Sequence, residues 1–135
     1  MTIMSPTRIH HLNFVVRDLD EATARFEQTL GVGPFETVDH APRGALVART
    51  RIGDCWLVLV CPYDEGSVPG QFLARHGEGF FLVSFGVDDL EGRLAQLHSS
   101  GQVTEDAAPR NGILDWQVAD IGEVHGTLLQ LTQDS

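Results

Sequence analysis

Apolar residues recur along this chain in short runs of period two, separated by stretches with a helical period. The run at 8–17, RIHHLNFVVR, puts His10, Leu12, Phe14 and Val16 on one strand face and His11, Asn13 and Val15 on the other. Asp18 then stands where a helix N-cap belongs, a helix of roughly 19–30 follows, and Gly31 supplies its stop. Strands are expected near 34–40, 44–52 and 55–61, the last with Cys55, Leu57, Leu59 and Cys61 opposing Trp56, Val58 and Val60. A connector at 62–78 carries a short helix about 70–75. A strand at 79–88 sets Phe81, Val83, Phe85 and Val87 against Phe80, Leu82, Ser84 and Gly86. A helix at 89–99 and strands near 102–105, 112–120 and 125–132 complete the chain, with Leu128, Gln130 and Thr132 opposing Thr127, Leu129 and Leu131. One face of these strands is almost uniformly apolar and must receive the helices; the other is mixed, as a cleft lining should be.

The order of elements repeats. FVVRDLDE at 14–21 answers FGVDDLE at 85–91, so Phe14, Val16, Asp18 and Leu19 match Phe85, Val87, Asp89 and Leu90 at an offset of 71. Each match is followed by a helical stretch ending in glycine, Gly31 and Gly101, and by three extended stretches. The expected fold is α+β. Two tandem βαβββ modules, at 8–61 and 79–132, curve one mixed sheet around a cleft, with the helices outside. The connector at 62–78 joins them, and residues 1–7 are expected to form a disordered tail.

Composition narrows the partners. Nine basic against nineteen acidic residues give a formal charge of −10, which repels nucleic acid and anionic membrane surfaces. The longest apolar runs, such as WLVLVC at 56–61, fall far short of a membrane span. The N-terminal MTIMSPTRI has neither the charged start nor the apolar stretch of an export signal. Cys55 and Cys61 sit on one strand about 20 Å apart, beyond disulfide reach, and read as buried thiols of a cytoplasmic protein.

A duplicated βαβββ unit opening on IHHLNFVVRDLDEA and closing on GTLLQL resembles the vicinal oxygen chelate superfamily of glyoxalases, bleomycin-resistance proteins and dioxygenases. The stretch QFLARHGEGFFLVSFGVDDL and the spacing from Gly44 to Gly53 are most similar to its methylmalonyl-CoA epimerase branch. The resemblance implies four metal-ligand positions, one on each of four strands, and these fall on His11, Val58, Leu82 and Gln130. Valine and leucine have no lone pair, and Gln130 is a neutral amide where the family has a carboxylate. One histidine and one amide cannot hold a divalent ion against water, so no metal and no other cofactor is expected. A site relocated onto His40 or His125 is the alternative.

Within such a cleft His11, buried beside Val58 and Leu82, would serve as a general base, or else as a structural histidine bonded to Gln130. Gln130 and Asn13 would donate hydrogen bonds to a developing oxyanion. Arg49 and Arg51 alternate with Ala48, Thr50 and Ile52; their forks suit a carboxylate or phosphate, the alternative being an exposed edge that offsets acidic charge. Trp56 and Phe80 would floor the cleft with Val58 and Leu82, or pack at an interface; Ser84 shares that face. Asp115 and Gln117 alternate with Leu114, Trp116 and Val118 and would line the cleft too, Asp115 being the one carboxylate placed inside.

Three functions compete. The first is a metal-independent protein binding a small carbonyl or carboxylate compound, with isomerase, epimerase or lyase chemistry. The second sequesters a small antibiotic or aromatic molecule without chemistry. The third is a metal-dependent epimerase with relocated ligands. Strand edges left open by two half-sheets point to a homodimer.

Overall fold

Alternation of apolar and polar side chains builds eight strands and three helices among residues 2–134, which the computed structural model describes. Two units divide the chain, 11–81 on one hand and 2–10 with 82–134 on the other. The βαβββ order appears twice, as the repeat requires.

The first unit takes β1 (Arg8–Val15) from His11 onward, α1 (Leu19–Leu30), β2 (Glu36–His40), β3 (Ala45–Ile52), β4 (Cys55–Pro62) and α2 (Val68–His76). Its strands lie in the order β2-β3-β4-β1, with β1 parallel to β4 and the other pairs antiparallel. Asp18 caps α1 by accepting from the Glu21 amide at 3.1 Å. Gly31 ends α1 at φ 72°, a left-handed conformation that L side chains resist. Val16, Leu19, Ala48 and Leu59 form the core beneath α1, with Phe14, Ala22 and Phe26 packed against them. These are the apolar faces that strand parity assigned to the helix.

The second unit holds β5 (Gly79–Gly86) from Leu82 onward, α3 (Leu90–Ser99), β6 (Arg110–Asn111), β7 (Gln117–Val124) and β8 (Thr127–Gln133). The order β5-β8-β7-β6 repeats that of the first unit, with the parallel pair again between first and fourth strands. Its core is Val87, Leu90, Leu94, Leu97 and Ala119, joined by Ile121 and Leu131. The strand expected at 102–105 is absent; its place is taken by the two-residue β6. The Glu105 and Asp106 amides bond the Ile121 and Asp120 carbonyls of β7 at 3.2 and 2.9 Å, but Pro109 has no N–H to carry a ladder on, and regular pairing resumes at Arg110.

The segment before β1 lies along this unit. The Thr7 amide donates to the Gly86 carbonyl at 2.8 Å, and Gln96 bonds both the Met4 amide at 3.0 Å and the Thr2 carbonyl at 2.6 Å. Of the tail expected at 1–7, Met1 lies outside the described residues. At the other end Asp134 accepts from Arg8 at 2.7 Å and contacts the buried His10 ring at 3.0 Å. No helix among the described residues is long and apolar enough to cross a membrane.

Candidate functional site

Strand register decides which side chains meet. In the first unit β1 sets His11 opposite Trp56 and Asn13 opposite Val58. Strand β3 sets Arg51 opposite Trp56 and Arg49 opposite Val58, and β2 adds Glu36 opposite Arg49. Directly opposed residues share a face. Six of the residues expected in the site therefore gather on the sheet face away from α1: His11, Asn13, Arg49, Arg51, Trp56 and Val58.

Their geometry is that of a polar rim on an apolar floor. The Arg49 guanidinium stacks 4.1 Å from the Trp56 ring centroid, and Arg51 follows at 5.1 Å. Arg49 donates through Nε to Glu36 at 2.8 Å, while Arg51 donates to the Gly53 carbonyl at 2.9 Å. Stacking on an indole holds a guanidinium flat and leaves its fork directional. His11 and Val58 are buried. The Asn13 Oδ1 atom is buried as well and has no hydrogen-bond partner. A buried acceptor left unsatisfied costs about 1–3 kcal/mol, which makes this atom a candidate contact for a ligand donor.

The second unit presents a different surface. Leu82 stands opposite Leu128 and Ser84 opposite Gln130. Leu82 is buried, and the Ser84 hydroxyl is bonded to that of Thr132. Gln130, only 5% exposed, donates through Nε2 to Asp120 Oδ1 at 2.8 Å. Its Oε1 atom is buried without a partner, the second such acceptor. Behind Asp120, Arg110 Nη2 lies 3.1 Å from Oδ2, and Arg110 Nε donates to Asp106 at 3.0 Å. The same Asp106 oxygen accepts from the Asp120 amide at 2.7 Å.

Three expected positions are corrected. Gln117 pairs with Gln133 and Asn111, and the Gln133 side chain bonds the first turn of α3; Gln117 thus faces the α3 side, opposite to Gln130. Polarity had suggested the cleft, but register puts Val118 opposite Thr132, so the Val118 set shares the face of Gln130. Asp115 is exposed in the turn before β7, next to Leu114 at φ 53°, where strand parity does not run. Phe80 is 44% exposed and its ring lies 5.7 Å from Phe14, itself 5.8 Å from Phe26 of α1. Phe80 therefore sits with the α1-side aromatics rather than with Trp56. An open cavity of about 500 Å³ on that side is lined by Phe14, Ala22 and Phe26 with Asp18, Arg25 and Glu78. Cys55 and Cys61 are half-buried and form no disulfide with each other.

Asp120, Arg110 and Glu36 were missed. Asp120 has the parity of Val118, so choosing the Val118 set for the cleft would have found it. Glu36 and Arg110 acquire their partners only through register.

The positions that the resemblance implies for a metal do not suit one. Val58 and Leu82 offer no lone pair, and Gln130 has its amide nitrogen committed to Asp120. No group of three His, Cys, Asp or Glu able to hold a metal occurs among the described residues. His40 ends β2, and exposed His125 turns between β7 and β8 at φ 49°; neither belongs to such a group.

Comparison with known proteins agrees with this architecture. The sequence pattern of the Glyoxalase/Bleomycin resistance protein/Dioxygenase superfamily matches residues 10–119. An ethylmalonyl-CoA/methylmalonyl-CoA epimerase of Cereibacter sphaeroides is 26% identical over 95 residues, 70% of this chain and 71% of that protein. A methylmalonyl-CoA epimerase solved with methylmalonyl-CoA and ammonium is 28% identical, with a TM-score of 0.91 over 97% of this chain and 96% of that one. A Streptomyces coelicolor methylmalonyl-CoA epimerase variant with 2-nitronate-propionyl-CoA is also 28% identical, with a TM-score of 0.90 over 97% and 99% of the two chains.

Proposed function

The chain belongs to the glyoxalase/bleomycin resistance protein/dioxygenase superfamily, and on that premise we propose that it binds a small carbonyl or carboxylate compound of the acyl-CoA class and shifts a proton next to its carbonyl, without a metal of its own. The observation that carries this reading is the unsatisfied, buried Asn13 oxygen on the face where Arg49 stacks on Trp56. Relatives that act on methylmalonyl-CoA supply the substrate class.

In this reading the arginine forks take the anionic group, a carboxylate or phosphate, and Trp56 packs a flat apolar part of the ligand. His11, buried at the centre of the face, is the acid–base group that takes the proton α to the carbonyl. Asn13 accepts a hydrogen bond from a ligand N–H, such as an amide of the CoA pantetheine arm, and so fixes its orientation. Val58 leaves the floor of the face dry, so the charged contacts at its rim are less screened than in water.

The test is solvent deuterium exchange at C2 of methylmalonyl-CoA and ethylmalonyl-CoA, followed by mass spectrometry. Incorporation that disappears in His11→Ala supports the reading. Stoichiometric cobalt or zinc in protein purified without chelator overturns its metal-free part. A thermal-shift series runs alongside, because a ligand at 100 times its Kd adds about 2.7 kcal/mol. The second reading, sequestration without chemistry, is favoured by the ion pair that commits Glu36, the carboxylate sharing this face with His11, to Arg49. Stabilisation by a ligand with no exchange and no turnover would select it.

A further inference from the structure

A single extra residue in β7 sets the orientation of Gln130. Between Val124 and Gly122 the strand runs in step with β8, Gly122 opposing Leu129, and the next residue in step would be Ile121 opposite Gln130. The register instead shifts between Gly122 and Asp120, so Asp120 opposes Gln130 and Ile121 is left to the α3 core. Gly122 takes φ 139°, which a side-chain-bearing residue rarely adopts, and so permits the bulge. The equivalent stretch of β3 runs without a shift, Ala45 to Ile52 pairing in turn with Pro62 to Cys55.

The consequence is chemical. A carboxylate only accepts hydrogen bonds, so the group that meets Asp120 must be the Gln130 N–H. The Arg110 guanidinium beside Asp120 and the Asp106 bond to the Asp120 amide hold that carboxylate in place. Gln130 cannot turn over, and its carbonyl oxygen is the atom left buried and unpaired. We infer that Asp120 is a positioning residue that locks Gln130 as a hydrogen-bond acceptor, so that a ligand with a hydroxyl or N–H at that point is favoured over one that offers only acceptors there. This deepens the acyl-CoA reading and reverses the donor role expected of Gln130 from sequence.

The substitution Asp120→Asn discriminates. Arg110 would claim the one remaining oxygen of the new amide, its N–H₂ would face Gln130, and Gln130 would turn its own N–H outward. Affinities of (R)-3-hydroxybutyryl-CoA and acetoacetyl-CoA, by calorimetry, read this directly: the hydroxyl donates where the ketone only accepts. The wild type should favour the hydroxy compound about tenfold, the scale of one well-made hydrogen bond, and D120N should abolish or invert that preference. An equal preference in both proteins overturns the inference. If D120N does not fold, nitrogen-edited NMR of the wild type decides, with the Gln130 side-chain resonances assigned by their loss in Gln130→Met. Slowly exchanging Nε2 protons support the lock, and fast exchange overturns it. Failure of both CoA thioesters to bind would instead count against the acyl-CoA reading, and the amide exchange rate would still decide the lock.

Discussion

In the first unit β4 carries Trp56 and Val58, and β3 sets Arg51 and Arg49 against them. In the second unit β8 carries Leu128 and Gln130 at the equivalent places, and β7 sets Glu123 and Asp120 against them. Strand order and the parallel pairing of first with fourth strand are the same in both. The scaffold was thus kept while its two chemical faces were made opposite: a cationic pair stacked on an indole, and a carboxylate gripping an amide. Duplication fixes backbone positions, and side chains at those positions are free to diverge so long as the apolar faces still bury against their helices.

The comparison can be broken most severely in the cores. Leu59 and Leu131 are equivalent, but Leu59 is fully buried and Leu131 only partly. Leu59→Ala should cost about 2–5 kcal/mol and Leu131→Ala clearly less, by chemical denaturation. Equal losses would mean that the two helices cover their sheets alike. Next in size is Gly122→Ala. Its added Cβ meets nothing within 4 Å, so the cost is backbone strain alone, about 1–3 kcal/mol. A null effect on stability would show that the bulge does not need the glycine.

The smallest effect concerns the ends of the second unit, which have no counterpart in the first. Partial burial pushes the Asp134 carboxyl up, but the hydrogen bond and charge of His10 and the Arg8 guanidinium outweigh it and hold it below the usual value. A depressed carboxyl stabilises the fold above its unfolded pKa, and that contribution goes as pH falls through the folded one. Asp134→Asn should therefore lower Tm slightly at neutral pH. The gap to wild type should close only below the ordinary aspartate range, and a gap unchanged down to strong acid would dismiss the contact.

Much of the fold was legible because each unit writes its periodicity locally. Asp18 caps α1 as read, and Asp89, read as the first residue of its helix, caps α3 in the same way, each accepting from an amide three residues on. Parity alone assigned His11, Asn13, Trp56 and Val58 to one face. It failed at β7 for two separate reasons: Asp115 lies in a turn, and polarity was a poor guide to the side on which Gln117 falls. Phe80 was misplaced because parity was carried to the very start of β5, next to Gly79 at φ 149°.

By itself the sequence determined the duplicated βαβββ order, the helix-facing apolar sets and the loss of lone pairs at Val58 and Leu82, since these depend only on residue type and on spacing within one element. Tertiary structure alone decided that Arg49 rests on Trp56 and that Asp120, not Ile121, meets Gln130. Both depend on how one strand is registered against another, and a shift of one residue turns every side chain beyond it to the other face.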